Sequence, residues 1–303
     1  MNVVGIDIGA SNLRIALCNR RGRILEFSSE ETNAANLMAQ IYGGLRRLPG
    51  FDAIGIASVG PLDVTEGVIL NPPNVRLRHV EIVRLVRNRF KRPCVLSNDC
   101  AAAVLAEKMF GAGRDVENLV YVTLSTGVGC GVMVDGRVLR GKDGNAHEMG
   151  HCTVEVPGRL RCGCGSYGHW EAYCGGKHIP AFARLLLRTE YRHRATSLRG
   201  VRQTLSPEAL FDAARSDRVA AEIVDRICMI NGVGVANAIN AYDPELVTIG
   251  GSVALRHARR VLAPIRRYAR RYAINRVPPI TLTPLKDLAV VYGAVATVLS
   301  RLA

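Results

Sequence analysis

The 303-residue chain has no run of ~20 uncharged apolar residues, which excludes a transmembrane helix. No basic segment or cleavage site precedes Val3-Val4-Gly5-Ile6-Asp7-Ile8-Gly9, so secretion is not expected and the cytoplasm is the expected location. Aromatic residues are scarce, at 5 %, and there is a single tryptophan. Lysine is scarce too: 5 lysines stand against 35 arginines in a chain of formal charge +14. The basic balance invites nucleic acid as a partner, because cationic patches bind phosphate without regard to sequence. Against that, the arginines fall in dispersed pairs such as Arg20/Arg21, Arg46/Arg47, Arg266/Arg267 and Arg270/Arg271, with few aromatics between them for base stacking. A basic surface also attracts an anionic nucleotide. Nine cysteines do not make a disulfide framework here, since Cys18, Cys94, Cys100, Cys130 and Cys228 sit singly in apolar or motif contexts.

The chain alternates strands and helices, which predicts an α/β fold with covered sheets. Strands are expected at Val3–Ile8, Leu13–Cys18, Arg23–Ser28, Ala53–Ala57 and Cys94–Ser97, and helices at Asn36–Leu48, Glu81–Phe90 and Asp99–Phe110. The pattern then restarts at about residue 118. Asn118–Leu124 is a strand, Ser125–Gly131 a glycine turn, and Val132–Val134 a second strand. A helical region spans about Ile179–Ile239, broken near Ser197–Ser206, and Leu246–Ile249 is a further strand ending in Gly250-Gly251. Two halves that each begin strand, glycine turn, strand predict a duplicated architecture. The expected domains are 1–116 with a C-terminal helix at about 288–303, and 117–287.

The first turn, Asp7-x-Gly9-Ala10-Ser11-Asn12-x-Arg14, has what a phosphate loop requires. Gly9 permits close backbone approach, Ser11 and Asn12 offer donors, and Arg14 supplies charge. Asp7, ending a buried strand, is placed to hold a hydrated Mg²⁺. The turn is neither a Walker loop nor a Rossmann G-x-G-x-x-G. Ser125-Thr126-Gly127-Val128-Gly129 repeats the provision. Gly250-Gly251 offers a flat surface for a ring, or simply caps a strand. Asn98-Asp99 lies between a strand and a helix, so it is an N-cap, or Asp99 is a general base for a hydroxyl attacking a phosphoryl group.

Residues 147–171 admit two readings. His147-Glu148-Met149-Gly150-His151 matches H-E-x-x-H, which needs a helix with both histidines on one face. Gly141, Gly144 and Gly150 oppose a helix, each costing roughly 1 kcal/mol in its interior, and Thr153–Val156 alternates like a short strand closed by Pro157-Gly158. The favoured reading takes His151, Cys162, Cys164 and His169 as a closed tetrahedral zinc site of structural type. Cys174 is a spare candidate ligand.

Five motifs in order make the chain resemble the sugar kinases of the ROK family, within the actin/hexokinase-like ATPase superfamily, from about residue 3 to residue 300. The motifs are Asp7–Arg14; Gly60-Pro61-Leu62-Asp63 with Pro73-Asn74 and Asn98-Asp99; Leu124–Gly131; Glu148-x-Gly150-His151 with Cys162–Glu171; and Asp243-Pro244-Glu245 through Gly250-Gly251. The resemblance implies a duplicated actin-like, ribonuclease H-like two-domain fold with the active site in the interdomain cleft, whose closure excludes water. It implies ATP-dependent transfer of a γ-phosphoryl group to a hexose, with the 6-hydroxyl of glucose as the expected acceptor. Allose, mannose, fructose and N-acetylhexosamines are alternative substrates, because the implied ligands grip hydroxyls these sugars share.

By the same resemblance Asp99 is the general base, and Asn74, Asn98, Glu148, His151 and Glu171 hold sugar hydroxyls. Gly9, Ala10, Ser11, Asn12, Thr126 and Gly127 contact ATP phosphates, beside Asp7 and Arg14, while Gly250 and Gly251 contact the adenosine. His151 binds structural Zn²⁺ through one ring nitrogen and faces the sugar with the other. The implied cofactors are ATP, Mg²⁺ and that Zn²⁺. The implied partners are hexose and ATP, without nucleic acid or membrane, and a second copy of the chain in a dimer or tetramer. His169 stands where the family usually has a third cysteine, which gives a Cys₂His₂ set that zinc also accepts. Cys100-Ala101 stands where Ala-Asn is more usual. The family also includes sugar-responsive repressors, which carry an N-terminal DNA-binding module. The first phosphate strand starts here at Val3, so a repressor is not the expected function.

Overall fold

The computed structural model describes residues 1–72 and 75–302. The first half runs β1 (Asn2–Ile8), β2 (Asn12–Asn19), β3 (Ile24–Glu31), α1 (Leu37–Arg46), β4 (Ala53–Ser58), β5 (Leu62–Asp63), β6 (Val68–Ile69), α2 (Ile82–Phe90), β7 (Cys94–Asn98) and α3 (Asp99–Phe110). The second half runs β8 (Leu119–Leu124), β9 (Val128–Val134), β10 (Arg137–Val138), α4 (Glu171–Cys174), α5 (Ile179–Arg188), α6 (Pro207–Ala213), α7 (Arg218–Tyr242), β11 (Leu246–Gly250), α8 (Ser252–Arg256), α9 (Ala258–Tyr272) and β12 (Ile280–Leu282), and α10 (Ala289–Leu302) closes the chain.

The duplication is visible in the sheets. The first has the order β3-β2-β1-β4-β7 and the second β10-β9-β8-β11-β12, the same topology twice. In the first sheet β1 pairs antiparallel with β2 and parallel with β4, which pairs parallel with β7. The carboxyl ends of three parallel strands therefore lie side by side, where α/β sheets bind their ligands. Contacts divide the chain into two compact units. One comprises Met1–Tyr121, Gly131–His147 and Thr283–Ala303, and the other Val122–Cys130 and Glu148–Leu282. No helix among the described residues is long and apolar enough to cross a membrane.

In the first unit β1 is buried from Val3 to Ile8 and apolar but for Asp7, because both faces of its sheet are covered. Val4, Ile6 and Ile8 pack in one core with Leu13, Ile15, Leu17, Ile41 and Ile82, while Val3 packs in another with Ala16, Val291 and Val295. On the second face α10 lies close to the sheet. A Cβ on Gly55 would collide with the Ala294 carbonyl, and one on Gly293 with the backbone of Ala102 in α3. These glycines bring α10 against the sheet and α3 against α10, which positions α3, with Asp99 at its first turn.

Three local expectations change. The second glycine turn is only Ser125–Gly127, because β9 already starts at Val128, with Val128 and Cys130 turned inward. Thr153–Val156 is not a strand. Its alternation matches one, but Thr153 forms only an isolated bridge to His169 and the Val154 N–H donates to Gly168 at 2.8 Å, so the segment wraps a knot. The long helical region is three helices, of which α5 ends at Arg188 well before the expected break.

Candidate functional site

In the first unit the Gly9–Asn12 turn is fixed by its own backbone and by one distant side chain. The Gly9 N–H donates to the Asn12 carbonyl at 3.0 Å, the Thr32 hydroxyl donates to the Gly9 carbonyl at 2.8 Å, and the Thr32 N–H donates to Ser11 at 3.1 Å. Asp7 and Arg14 are cross-strand partners in the β1–β2 register, and the Arg14 guanidinium donates to Asp7 Oδ2 at 2.9 Å. Asp7 is 3 % exposed. Burial pushes its carboxyl up to about 7; Arg14 opposes the rise and the Asp99 carboxylate adds to it. Oδ1, the oxygen away from that bond, lies 3.8 Å from where a Gly9 side chain would begin. A carboxylate oxygen turned toward a phosphate turn is the kind of ligand a hydrated Mg²⁺ takes.

Asn98 is the N-cap of α3: its Oδ1 accepts from the N–H groups of Cys100 at 2.9 Å and Ala101 at 3.1 Å. The cap reading therefore holds for Asn98, whose Nδ2 is the atom left for a ligand. Asp99 is the first residue of α3, and its Oδ1 also accepts the Cys100 N–H at 2.8 Å. Asp99 stands at the end of β7 and Asp7 at the end of β1, two strands away in one sheet. Asn74 lies outside the described residues.

The second unit builds its turn differently. The Ser125 N–H donates to Gly127 at 3.0 Å, closing Ser125–Gly127. The Gly176 N–H then donates to the Ser125 carbonyl at 2.7 Å and the Lys177 N–H to the Thr126 carbonyl at 3.1 Å, so a second segment lies along the first. Gly251 supplies a third. Its φ is 87°, a left-handed conformation, and a Cβ there would collide with the Leu124 backbone. Gly251 is thus more than the end of β11. Ser252, the next residue, has its hydroxyl 3.3 Å from that of Ser125.

His151, Cys162, Cys164 and His169 converge, with their ligand atoms within 4.8 Å of one another. Cys162 Sγ is 3.5 Å from His151 Nδ1, and Cys164 Sγ is 3.3 Å from His169 Nδ1. A tetrahedral zinc at ordinary bond lengths sets sulfur and nitrogen roughly 3.6 Å apart, so the donor set fits the ion. Burial first and His151 second hold His169 below the usual histidine range, in the neutral form a metal ligand needs. Burial pushes the Cys162 thiol up to about 12, and coordination reverses that by deprotonating it. Cys174 is not in the set; it is buried and directs its thiol to the Ile227 carbonyl at 3.5 Å. His147 is not in it either. Its φ is 59°, and the turn Met149–His151 is a single 3-10 turn, so the helix required by H-E-x-x-H does not form.

His151 turns its other nitrogen, Nε2, toward Glu148 Oε2 at 4.0 Å. Glu148, 41 % exposed at its side chain, has its pKa raised by desolvation first and by the Glu171 carboxylate second. Glu171 is buried: Oε2 accepts the Val128 N–H at 3.0 Å, and Oε1 lies 3.8 Å from Cys162 Sγ. Two carboxylates and an imidazole nitrogen thus share one neighbourhood, a set that accepts hydrogen bonds from several hydroxyls. Gly150 is required between them, since a Cβ would collide with the Val128 carbonyl.

The model of the ROK family matches residues 3–301. The chain belongs to the ROK family. It is similar to a glucokinase of Pyrobaculum calidifontis, 40 % identical over 255 residues, which span 83 % of this chain and 79 % of that one. It is also 28 % identical to a xylose repressor of Caldicellulosiruptor bescii, over 99 % of this chain and 78 % of that one. The crystal structure of a ROK family glucokinase from Streptomyces griseus in complex with glucose and AMPPNP superposes with a TM-score of 0.85, at 29 % identity, covering 99 % of this chain and all of that one.

Several residues that support this ROK-family site gave no signal in the sequence. Asn145 holds the loop after Pro61 by exchanging two hydrogen bonds with Leu62, at 2.8 and 2.9 Å, across 83 positions. Trp170 is fully buried; its Nε1 donates to Asn231 at 2.8 Å, and Gly234 of α7 leaves room for its ring. That anchor fixes the His169–Glu171 backbone. The available clue was the only tryptophan of the chain standing between His169 and the Glu171 carboxylate.

Proposed function

We propose that the chain is a glucokinase-type hexokinase, moving the γ-phosphoryl group of Mg·ATP to the 6-hydroxyl of glucose. The chain is an ATP-dependent sugar kinase, a member of the family whose glucokinases it resembles in sequence and fold. The observation that carries the mechanism is the placement of Asp99 and the Asp7 turn at the same edge of one sheet, two strands apart and close enough for the Asp99 charge to raise the Asp7 carboxyl.

Asp99 is the general base. Its carboxylate accepts the proton of the sugar hydroxyl as that oxygen attacks phosphorus. Asn98 donates to the sugar through Nδ2, because its oxygen is occupied by the helix cap. In the second unit Glu148, His151 through Nε2, and Glu171 through the Oε1 edge accept sugar hydroxyls. Gly9, Ala10, Ser11 and Asn12 on one turn, and Thr126 and Gly127 on the other, receive phosphates, and Gly250 and Gly251 receive the adenosine. Asp7 and Arg14 balance charge at the first turn, and Asp7 orients Mg²⁺. His151, Cys162, Cys164 and His169 would hold a structural zinc, which would rigidify the segment in which His151 Nε2 faces Glu148. Mannose, fructose, allose and N-acetylhexosamines are the alternative acceptors. The xylose-repressor similarity supports a regulatory alternative of the same fold, in which sugar binds without turnover.

ATP consumption across a hexose panel separates these readings. Glucose is expected to stimulate turnover most, with glucose 6-phosphate as product. Sugar binding with no sugar raising turnover would instead establish the regulator. For the metal, wild type is expected to hold one zinc per chain and His169→Ala markedly less; equal zinc in both would remove His169 from the ligand set.

A further inference from the structure

The two phosphate turns differ in where a cation can come from. At the first turn Arg14 is committed to Asp7. The second turn, Ser125–Gly127, carries no charged residue at all. The segment lying on it does. Gly175-Gly176-Lys177 leaves α4 and follows the turn through the bonds from Gly176 N–H to Ser125 O, at 2.7 Å, and from Lys177 N–H to Thr126 O, at 3.1 Å. The two glycines are needed for that approach: a Cβ would stand 3.1 Å from the Thr126 carbonyl at Gly175 and 2.8 Å from the Ser125 carbonyl at Gly176. Lys177 is therefore the first side chain that can stand clear of the contact. It is exposed, and among the described residues it makes no ion pair. It is also one of only 5 lysines in a chain that otherwise uses arginine. A flexible ammonium of this kind serves as a mobile point charge for phosphate.

We propose that Lys177 is a phosphate ligand of the nucleotide at the second turn, fixed at its backbone by Thr126 and free at its ammonium to follow the polyphosphate. This rests on the kinase reading above, in which Thr126 and Gly127 face ATP. The test is calorimetric titration of the full chain with Mg·ADP and, separately, with adenosine, using wild type, Lys177→Met and Lys177→Arg. Lys177→Met is expected to weaken ADP by about tenfold, the size of one charge-assisted contact, and to leave adenosine affinity and the KM for the sugar unchanged. Lys177→Arg is expected to recover most of the ADP affinity. Equal weakening of ADP and adenosine would make Lys177 a support of the fold, and unchanged ADP affinity would remove it from the site; either overturns the proposal. Failure of wild type to bind ADP at all would instead overturn the kinase reading on which it rests.

Discussion

The turns Gly9–Asn12 and Ser125–Gly127 follow the first strand of two sheets with the same strand order, yet what surrounds them differs. The first is held by its own backbone and by the amide and hydroxyl of Thr32, and it lies beside the Asp7–Arg14 pair. The second is held by the amides of Gly176 and Lys177 from a separate segment and by the close approach of Gly251, with the Glu171 carboxylate accepting the Val128 amide just beyond it. The Asp7–Arg14 pair ties the first turn to the ionisation of one acid. Close backbone approach ties the second to the absence of side chains at three glycines. The same topology therefore yields one turn sensitive to pH and another sensitive to volume.

The largest effect is expected at Gly251. Placing valine there forces a β-branched residue into a left-handed conformation and into the Leu124 backbone, at a cost of roughly 3 kcal/mol or more. Thermal unfolding and ADP titration should both register it; a variant of wild-type stability would show that the close approach is dispensable. Next is Asp7→Asn. The folded carboxyl titrates near 7 rather than 3.8, so the folded chain keeps a proton that the unfolded chain has released. Stability is therefore lost as pH rises from about 4 to 7, by at most roughly 4 kcal/mol at 1.36 kcal/mol per pH unit. The loss of Arg14's partner offsets part of the gain in the variant. Asn should raise Tm relative to wild type increasingly from pH 5 to pH 8 while lowering kcat, and a pH-independent difference would break the contrast between the turns. The smallest effect is expected for Thr32→Val, which removes one hydrogen bond to Gly9 worth about 1 kcal/mol, seen as a modest fall in Tm and a rise in the KM for ATP.

The parts of the site legible in sequence are those whose chemistry is local. Asp7 and Arg14 face one another because a four-residue turn dictates the register of the hairpin, and His151, Cys162, Cys164 and His169 are near enough in sequence for spacing to suggest a shared ion. Asn98 and Asp99 were ambiguous because a cap and a base occupy the same kind of junction; the hydrogen bonds of Asn98 show it to be the cap. What sequence could not convey is closure between distant segments. Nothing near Gly150 announces the Val128 carbonyl, nor does anything near Asn145 announce Leu62, since such contacts arise only when strands and loops far apart in the chain are brought together. Thr153–Val156 misled for the converse reason: alternation suggests a strand, but the neighbouring chain bends it round the Cys/His cluster.

The central claim is that Asp99 acts as the base for a sugar hydroxyl attacking ATP. The direct measurement is glucose-dependent ADP release by wild type and Asp99→Ala, with glucose affinity followed in parallel by calorimetry. Wild type should turn over with glucose and not without it. The variant should still bind glucose, within about tenfold, while kcat falls by roughly 10²–10⁴. A variant that binds glucose and retains full kcat would contradict the account.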